Sequence, residues 1–183
     1  QISKHKLKLR LLVKVRNFLF NKVDGIIVPS NYLKKIVEGW KLSNPLIKVI
    51  YNSAKSNSIY NPPKNKSFDV ITVCRLVPWK GIDNLILSCI ENNLTLNIVG
   101  DGPLERDLKL LSRDSLNKLI FFSGKIDHQN VIPEISKAKI FVLNSSYEGL
   151  PHVLIESMKA KTPIIATNIG GTIELIKNED NGL

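Results

Sequence analysis

Two cysteines in 183 residues, Cys74 and Cys89, are too few for a disulfide framework, and a reducing compartment is expected. No run of about 18 apolar residues exists, because Lys or Arg interrupts every candidate, which argues against a membrane-spanning helix. The N-terminus is basic but lacks an uninterrupted apolar segment and a small-residue cleavage site, so no signal peptide is expected. With only 10 Gly and 9 Pro the chain is neither collagen-like nor low-complexity, and it carries no internal repeat. What is present is enough for a core: 43% of residues are hydrophobic against 23% charged. The length suits one domain plus a piece of another. The chain opens on Gln1 and ends at Asn181-Gly182-Leu183, and reads as a fragment of something longer.

Charge is uneven. Lys4, Lys6, Lys8, Arg10, Lys14, Arg16 and Lys22 fall within residues 1–22, which contain no acid, and without them a net charge of +10 drops to +3. The basic balance is thus local, and nucleic acid is not an expected partner. Leu11, Leu12, Val15, Phe18 and Leu19 recur there at helical spacing, predicting a basic amphipathic helix. Two readings follow: contact with an anionic membrane surface, or an apolar stripe packed on a domain with its lysines solvated.

Beyond this segment, short apolar runs alternate with helical windows. Strands are predicted at 25–28, 47–51, 68–74, 94–99, 119–122, 139–143 and 163–167. Ser30 is placed to cap a helix reaching Glu38, and Ile82, Leu85, Ile86, Cys89 and Ile90 form one stripe. Leu104, Leu108 and Leu111 form another behind Pro103, with further helical windows at 128–138, 151–160 and 172–177. Alternating strands and helices joined by short loops predict an α/β fold, a doubly wound parallel sheet with helices on both faces. The stretch Asn52–Ser67, rich in Asn, Ser, Pro and Lys, is linker-like.

In such sheets ligands sit beyond the carboxyl ends of the strands. After the strand at 68–74 come Arg75, Lys80 and Gly81, two cations suited to an anion such as a diphosphate, though surface cations on a loop would read the same way. After 94–99 comes Gly100-Asp-Gly-Pro103, most simply a tight turn. After 139–143 the chain reads Asn144-Ser-Ser-Tyr-Glu148-Gly-Leu-Pro-His-Val-Leu-Ile-Glu156. Pro151 is placed to open a helix whose free amides, with those of Gly149, Leu150, His152 and Val153, would cradle an anion. Glu148 stands where a sugar hydroxyl could be accepted, and Glu156 lies about a turn and a half into the helix. Helix-terminal charge complementation and an exposed helix glutamate are the plainer readings of these two.

Glu148-x7-Glu156 before a helix, preceded by Arg75-x4-Lys80-Gly81 after an earlier strand, resembles the retaining glycosyltransferases of GT-B type, family 4, the glycosyl transferases group 1. Val23–Ser30, Ile98–Pro103, Phe122–Lys125, Lys161–Thr167, Gly170-Gly171 with Glu174, and Asn181-Gly182 follow the family's order, from about Val23 onward. The resemblance implies two Rossmann-like domains about a cleft. Residues 1–57 would be the end of the N-terminal acceptor domain, 58–67 a linker and 68–183 the nucleotide-sugar-binding domain. It also implies that Arg75 and Lys80 neutralise the diphosphate leaving group, that Glu148 holds donor-sugar hydroxyls and that Glu156 holds the ribose. Amides around Gly149, Leu150, His152 and Val153 would contact sugar and phosphate, and Gly124, Lys125 and Ile126 would border the base. The catalytic set would be Glu148, Arg75 and Lys80. No cofactor beyond the nucleotide-diphosphate sugar co-substrate is implied, and no metal: the chain has no Asp-x-Asp pair. His5 and His128 show no partner pattern and are expected to be solvated, with no zinc site.

The implied activity is transfer of a hexosyl group to a glycan or lipid-linked acceptor with retention, in cell-surface polysaccharide or glycolipid synthesis. The enzyme would be cytoplasmic, with peripheral contact at the inner face of the membrane. This chain alone is expected to be inactive. The alternatives are a non-enzymatic anion- or membrane-binding module, or another GT-B activity such as a sugar-nucleotide epimerase or phosphorylase. Asn52-Ser-Ala-Lys55 departs from the family's usual Asn-Gly-Val-Asp, and Cys74 stands where a small residue is frequent.

Overall fold

A computed structural model describes residues 2–43, 46–54 and 61–183, with side chains from residue 9 onward. The chain divides into two compact units, Gln1–Asn52 and Ser53–Leu183. The predicted linker falls partly on residues 55–60, outside the described residues, as does the side chain of His5.

The first unit holds α1 (Ile2–Phe20), β1 (Gly25–Val28), α2 (Asn31–Glu38) and β2 (Leu46–Val49). The two strands pair in parallel with Gly25 opposite Leu46 and Val28 opposite Val49. Ser30 caps α2 as its sequence position predicts: its backbone is extended and its hydroxyl accepts the Leu33 N–H at 3.1 Å. A small core of Ile26, Val28 and Val37 gathers Phe20, Leu33 and Trp40 around it. The face of α1 that packs is not the predicted one. Phe20 meets Trp40 edge to face at 5.2 Å, and the Arg16 guanidinium lies 4.2 Å from the Trp40 ring centre. Leu11, Leu12, Val15, Phe18 and Leu19 all remain exposed. The expectation of a packed stripe is therefore corrected within this unit, because the cation–aromatic contact with Trp40 turns the helix the other way.

The second unit contains β3 (Phe68–Val73), α3 (Ile82–Glu91), β4 (Leu96–Val99), α4 (Glu105–Leu111), β5 (Ile120–Gly124), α5 (Val131–Ile135), β6 (Ala138–Leu143), α6 (His152–Lys159) and β7 (Ile164–Ala166). The strands form one parallel sheet in the order β5-β4-β3-β6-β7. Adjacent residues of β3 point to opposite faces. Val70 joins Ile82, Leu85, Ile86 and Leu108 of α3 and α4, whereas Ile71 joins Val131, Ile135 and Leu154 of α5 and α6. Helices thus cover both faces, which is why the central strands can be apolar almost throughout. Each fully buried Ile or Leu, such as Ile71, Ile86 or Leu154, contributes about 1.5–3 kcal/mol.

Three local expectations differ. The window at 128–138 begins as a 3-10 turn, His128–Asn130, before α5, and 172–177 forms only a 3-10 turn at Gly170–Glu174. Leu111 of the predicted α4 stripe is 43% exposed, since α4 ends there and its last turn faces outward.

Candidate functional site

The strand order reverses between β3 and β6: from β3 the chain winds outward through β4 and β5, then returns to β6 on the other side. This switch point opens a crevice at the carboxyl ends of the two strands. The loop after β3 carries Arg75 and Lys80, and the loop after β6 carries Glu148.

Three hydrogen bonds tie these loops together. Asn144 Nδ2 donates to the Gly81 carbonyl at 2.9 Å, the Ser146 N–H donates to the Trp79 carbonyl at 2.8 Å, and the Ser146 hydroxyl reaches the same carbonyl at 3.4 Å. Gly81 ends the 3-10 turn Pro78–Lys80 with φ at +58°, and a Cβ there would stand 2.6 Å from the Asn144 carbonyl oxygen. The glycine is required both by the left-handed backbone and by that close approach.

So stitched, the loops bring Lys80 and Glu148 together. Lys80 Nζ lies 2.5 Å from Glu148 Oε1, and the two side chains are only 16% and 10% exposed. The Ser145 hydroxyl donates to the same oxygen at 2.6 Å. A charge-assisted pair this sheltered from water is stronger than an exposed one. The backbone is pinned as well, since the Gly171 N–H donates to the Glu148 carbonyl at 3.1 Å. Arg75 is exposed, and its side chain makes no ion pair among the described residues.

Behind Glu148, Leu150 is buried and Pro151 is the N-cap of α6, extended rather than in the first helical turn as predicted. Proline has no capping side chain, so no side-chain hydrogen bond closes this helix end. The first intrahelical acceptor, the Pro151 carbonyl, takes the Leu154 N–H at 3.2 Å. The amides of His152 and Val153 precede it and are the groups left for an external anion. Gly149 and Leu150, the other two members of the predicted cradle, each take part in an interaction within the chain.

Glu156 is 5% exposed on the buried side of α6. Its carboxylate meets two imidazoles: His128 Nε2 at 2.9 Å and His152 Nδ1 at 3.6 Å from Oε1. His128 is exposed, as expected, yet it has a partner after all, because the turn after β5 carries its ring to Glu156. Gly124 ends β5 with φ at +65° and its carbonyl accepts the Gly100 N–H at 2.8 Å. Lys125 is exposed, and Ile126 packs on the core beneath. Cys74, just after β3, is partly buried, and burial pushes its thiol up to about 11.

Sequence reasoning passed over Asn144 and Ser145, which hold Gly81 and Glu148 in place. A serine three residues before Glu148 in a loop was a usable signal; nothing in the spacing marked Asn144. His128, 28 residues from Glu156 on another loop, carried no local signal at all.

Residues 55–183 match the family described as Glycosyl transferases group 1. An uncharacterized glycosyltransferase of Methanocaldococcus jannaschii is 30% identical over 161 residues, 87% of this chain and 44% of that protein. The UDP-Gal:alpha-D-GlcNAc-diphosphoundecaprenol alpha-1,3-galactosyltransferase of Escherichia coli is 38% identical over 129 residues, 65% of this chain and 33% of that protein. Among solved structures, a mutant of S. aureus TarM in complex with fondaparinux, alpha-GlcNAc-glycerol and UDP gives a TM-score of 0.72 at 26% identity, covering 90% of this chain and 34% of that one. Sucrose-phosphate synthase from Thermosynechococcus elongatus shares the fold, with a TM-score of 0.80 at 23% identity over 93% of this chain and 47% of that one. This chain spans less than half the length of the curated relatives it matches. The doubly wound sheet is that of the GT-B architecture, and the chain belongs to the glycosyl transferases group 1.

Proposed function

We propose that residues 68–183 are the donor-binding domain of a glycosyltransferase, with 1–57 belonging to its acceptor domain and 58–67 joining the two. The whole enzyme would move a hexosyl group from a nucleotide-diphosphate sugar to a glycan or lipid-linked acceptor with retention, in cell-surface polysaccharide or glycolipid synthesis. The observation that carries this is the sheltered Lys80–Glu148 pair spanning the switch point.

Without ligand, the Lys80 ammonium is held by Glu148. A diphosphate entering between Lys80, Arg75 and the His152 and Val153 amides offers a stronger anion. Lys80 then exchanges partners, and the Glu148 carboxylate is released to accept sugar hydroxyls. Glu156 takes the ribose hydroxyls, and the Gly124–Ile126 turn borders the base. As the bond from the anomeric carbon to phosphate oxygen breaks, negative charge gathers on the departing diphosphate. Fixed cations and helix amides stabilise that charge without a metal at the diphosphate. The sugar passes through an oxocarbenium-like state, and no side-chain nucleophile is assigned. UDP is the nucleotide to try first, because the E. coli relative is named for UDP-Gal and the TarM structure holds UDP.

A thermal-unfolding panel of UDP-, GDP- and ADP-sugars tests the reading. At a hundred times Kd, binding adds about 2.7 kcal/mol, or roughly 5–10 °C for a chain of this size. One nucleotide class is expected to raise Tm in the parent and far less in Lys80→Ala. No shift with any donor, or equal shifts in both proteins, would contradict it.

The exposed α1 stripe of Leu11, Leu12, Val15, Phe18 and Leu19, flanked by seven cations within residues 1–22, favours a second, compatible reading: peripheral contact with an anionic membrane at the cytoplasmic face. Among the described residues no helix is long and apolar enough to cross a membrane. Cosedimentation with phosphatidylserine vesicles that weakens with salt supports this contact; cosedimentation unchanged by removing residues 1–22 would refute it.

A further inference from the structure

We propose that His128, His152 and Glu156 bind one borderline divalent metal ion, with Zn2+ as the type, where the turn after β5 meets the start of α6. His152 and Glu156 stand four residues apart on one face of α6, and His128 arrives from the 3-10 turn His128–Asn130. One ligand atom from each of His128, His152 and Glu156 lies within 4.8 Å of the other two. Around a tetrahedral zinc with bonds of ~2.0–2.1 Å, ligand atoms stand roughly 3.3 Å apart. The separations from Glu156, 2.9 Å to His128 and 3.6 Å to His152, bracket that value. The remaining adjustment falls on the two imidazoles, which are 74% and 42% exposed and free to turn, while the 7% exposed carboxylate is the fixed end.

The donor set selects the ion. Two imidazoles and a carboxylate suit zinc and its neighbours and leave a fourth position open to water, whereas Mg2+ and Ca2+ prefer oxygen ligands throughout. To coordinate, His128 Nε2 presents its lone pair to the ion and carries no proton. One consequence rests on the ribose reading given above. The ion occupies the carboxylate that would hold the ribose, so metal and donor exclude each other and the metal acts as an inhibitor. This site is separate in role from the diphosphate clasp, which uses Lys80 and Arg75.

The test is a Co2+ titration of the whole chain followed by its visible d–d absorption, with Zn2+ added to displace the cobalt and no nucleotide present. The parent and His5→Ala, which changes the one other histidine of the chain, are expected to show the same Zn2+-displaceable band. His128→Ala and His152→Ala are expected to bind more than about a hundredfold more weakly, since losing a ligand exceeds the 10–100-fold cost of losing a ligand's partner. Thermal unfolding verifies that both variants fold, as their exposed side chains predict. No displaceable band in the parent, or equal affinity in a folded His128→Ala, overturns the proposal. Because no nucleotide is present, that failure leaves the donor reading standing, and failure of the donor panel leaves this site standing.

Discussion

Lys80→Ala and Glu148→Gln are expected to act in opposite directions on UDP, because the two side chains hold each other when no ligand is bound. Lys80 Nζ sits 2.5 Å from Glu148 Oε1, and both groups are mostly shielded from solvent. A hydrogen bond to a charged group contributes about 1.5–3 kcal/mol. Removing the ammonium therefore weakens UDP binding about ten- to a hundredfold. Glu148→Gln removes the carboxylate that competes with the diphosphate for that ammonium. UDP should bind as tightly or several-fold tighter, while the extra affinity a UDP-sugar gains from its sugar should shrink. Calorimetric titration of UDP and a UDP-sugar into parent, both variants and the double variant reads all four terms. The double variant should bind UDP like Lys80→Ala, since the gain from Glu148→Gln passes through Lys80. Weaker UDP binding in a folded Glu148→Gln, or unchanged binding in Lys80→Ala, would refute the exchange of partners.

Other outcomes follow from particular contacts. Asp69 accepts from Lys139 at 2.7 Å and from the Thr95 amide and hydroxyl at 2.9 and 2.8 Å, and the Lys139 bond above all lowers its pKa from 3.8 to about 2. The folded value lies below the unfolded one, so the stabilisation is complete above about pH 4 and is lost as pH falls toward 2. With Lys139 64% exposed, screening leaves about 1 kcal/mol; urea unfolding of Asp69→Asn should show that deficit at pH 7 and about a third of it at pH 2.5. Gly81→Ala and Gly124→Ala both place a side chain at positive φ, but only the first meets backbone at 2.6 Å while the second meets open space. Gly81→Ala should cost about 1–3 kcal/mol and exceed Gly124→Ala in the same assay; equal costs would contradict the close approach to Asn144. Burial holds the Cys74 thiol near 11 against an ordinary 9.0, so iodoacetamide at pH 8 should label it about a hundredfold more slowly than in urea. Comparable rates would show the thiol is not shielded.

The doubly wound sheet was legible because buried parallel strands are apolar almost throughout. The runs ending at Val73, Val99 and Leu143 mark themselves against polar, glycine-bearing loops. Periodicity was weaker where tertiary contact chose the face. In α1 it found the apolar stripe but not that Arg16 and Phe20 would pack on Trp40 instead. At the site, Arg75, Lys80, Glu148 and Glu156 were singled out by position after strands and at a helix start. Their partners were not legible, because Lys80 and Glu148 lie 68 residues apart and meet where the Asn144–Gly81 and Ser146–Trp79 bonds stitch the two loops. The link from His128 to Glu156 likewise depends on how the turn after β5 crosses α6, which no linear spacing encodes.

A crystal structure of the chain soaked with UDP bears most directly on whether the crevice between β3 and β6 receives a pyrophosphate. The expected density places both phosphates against Lys80 Nζ and the His152 and Val153 amides, with Glu148 turned away from the lysine. Density for UDP elsewhere on the molecule, with the Lys80–Glu148 pair intact beside an empty crevice, would contradict it.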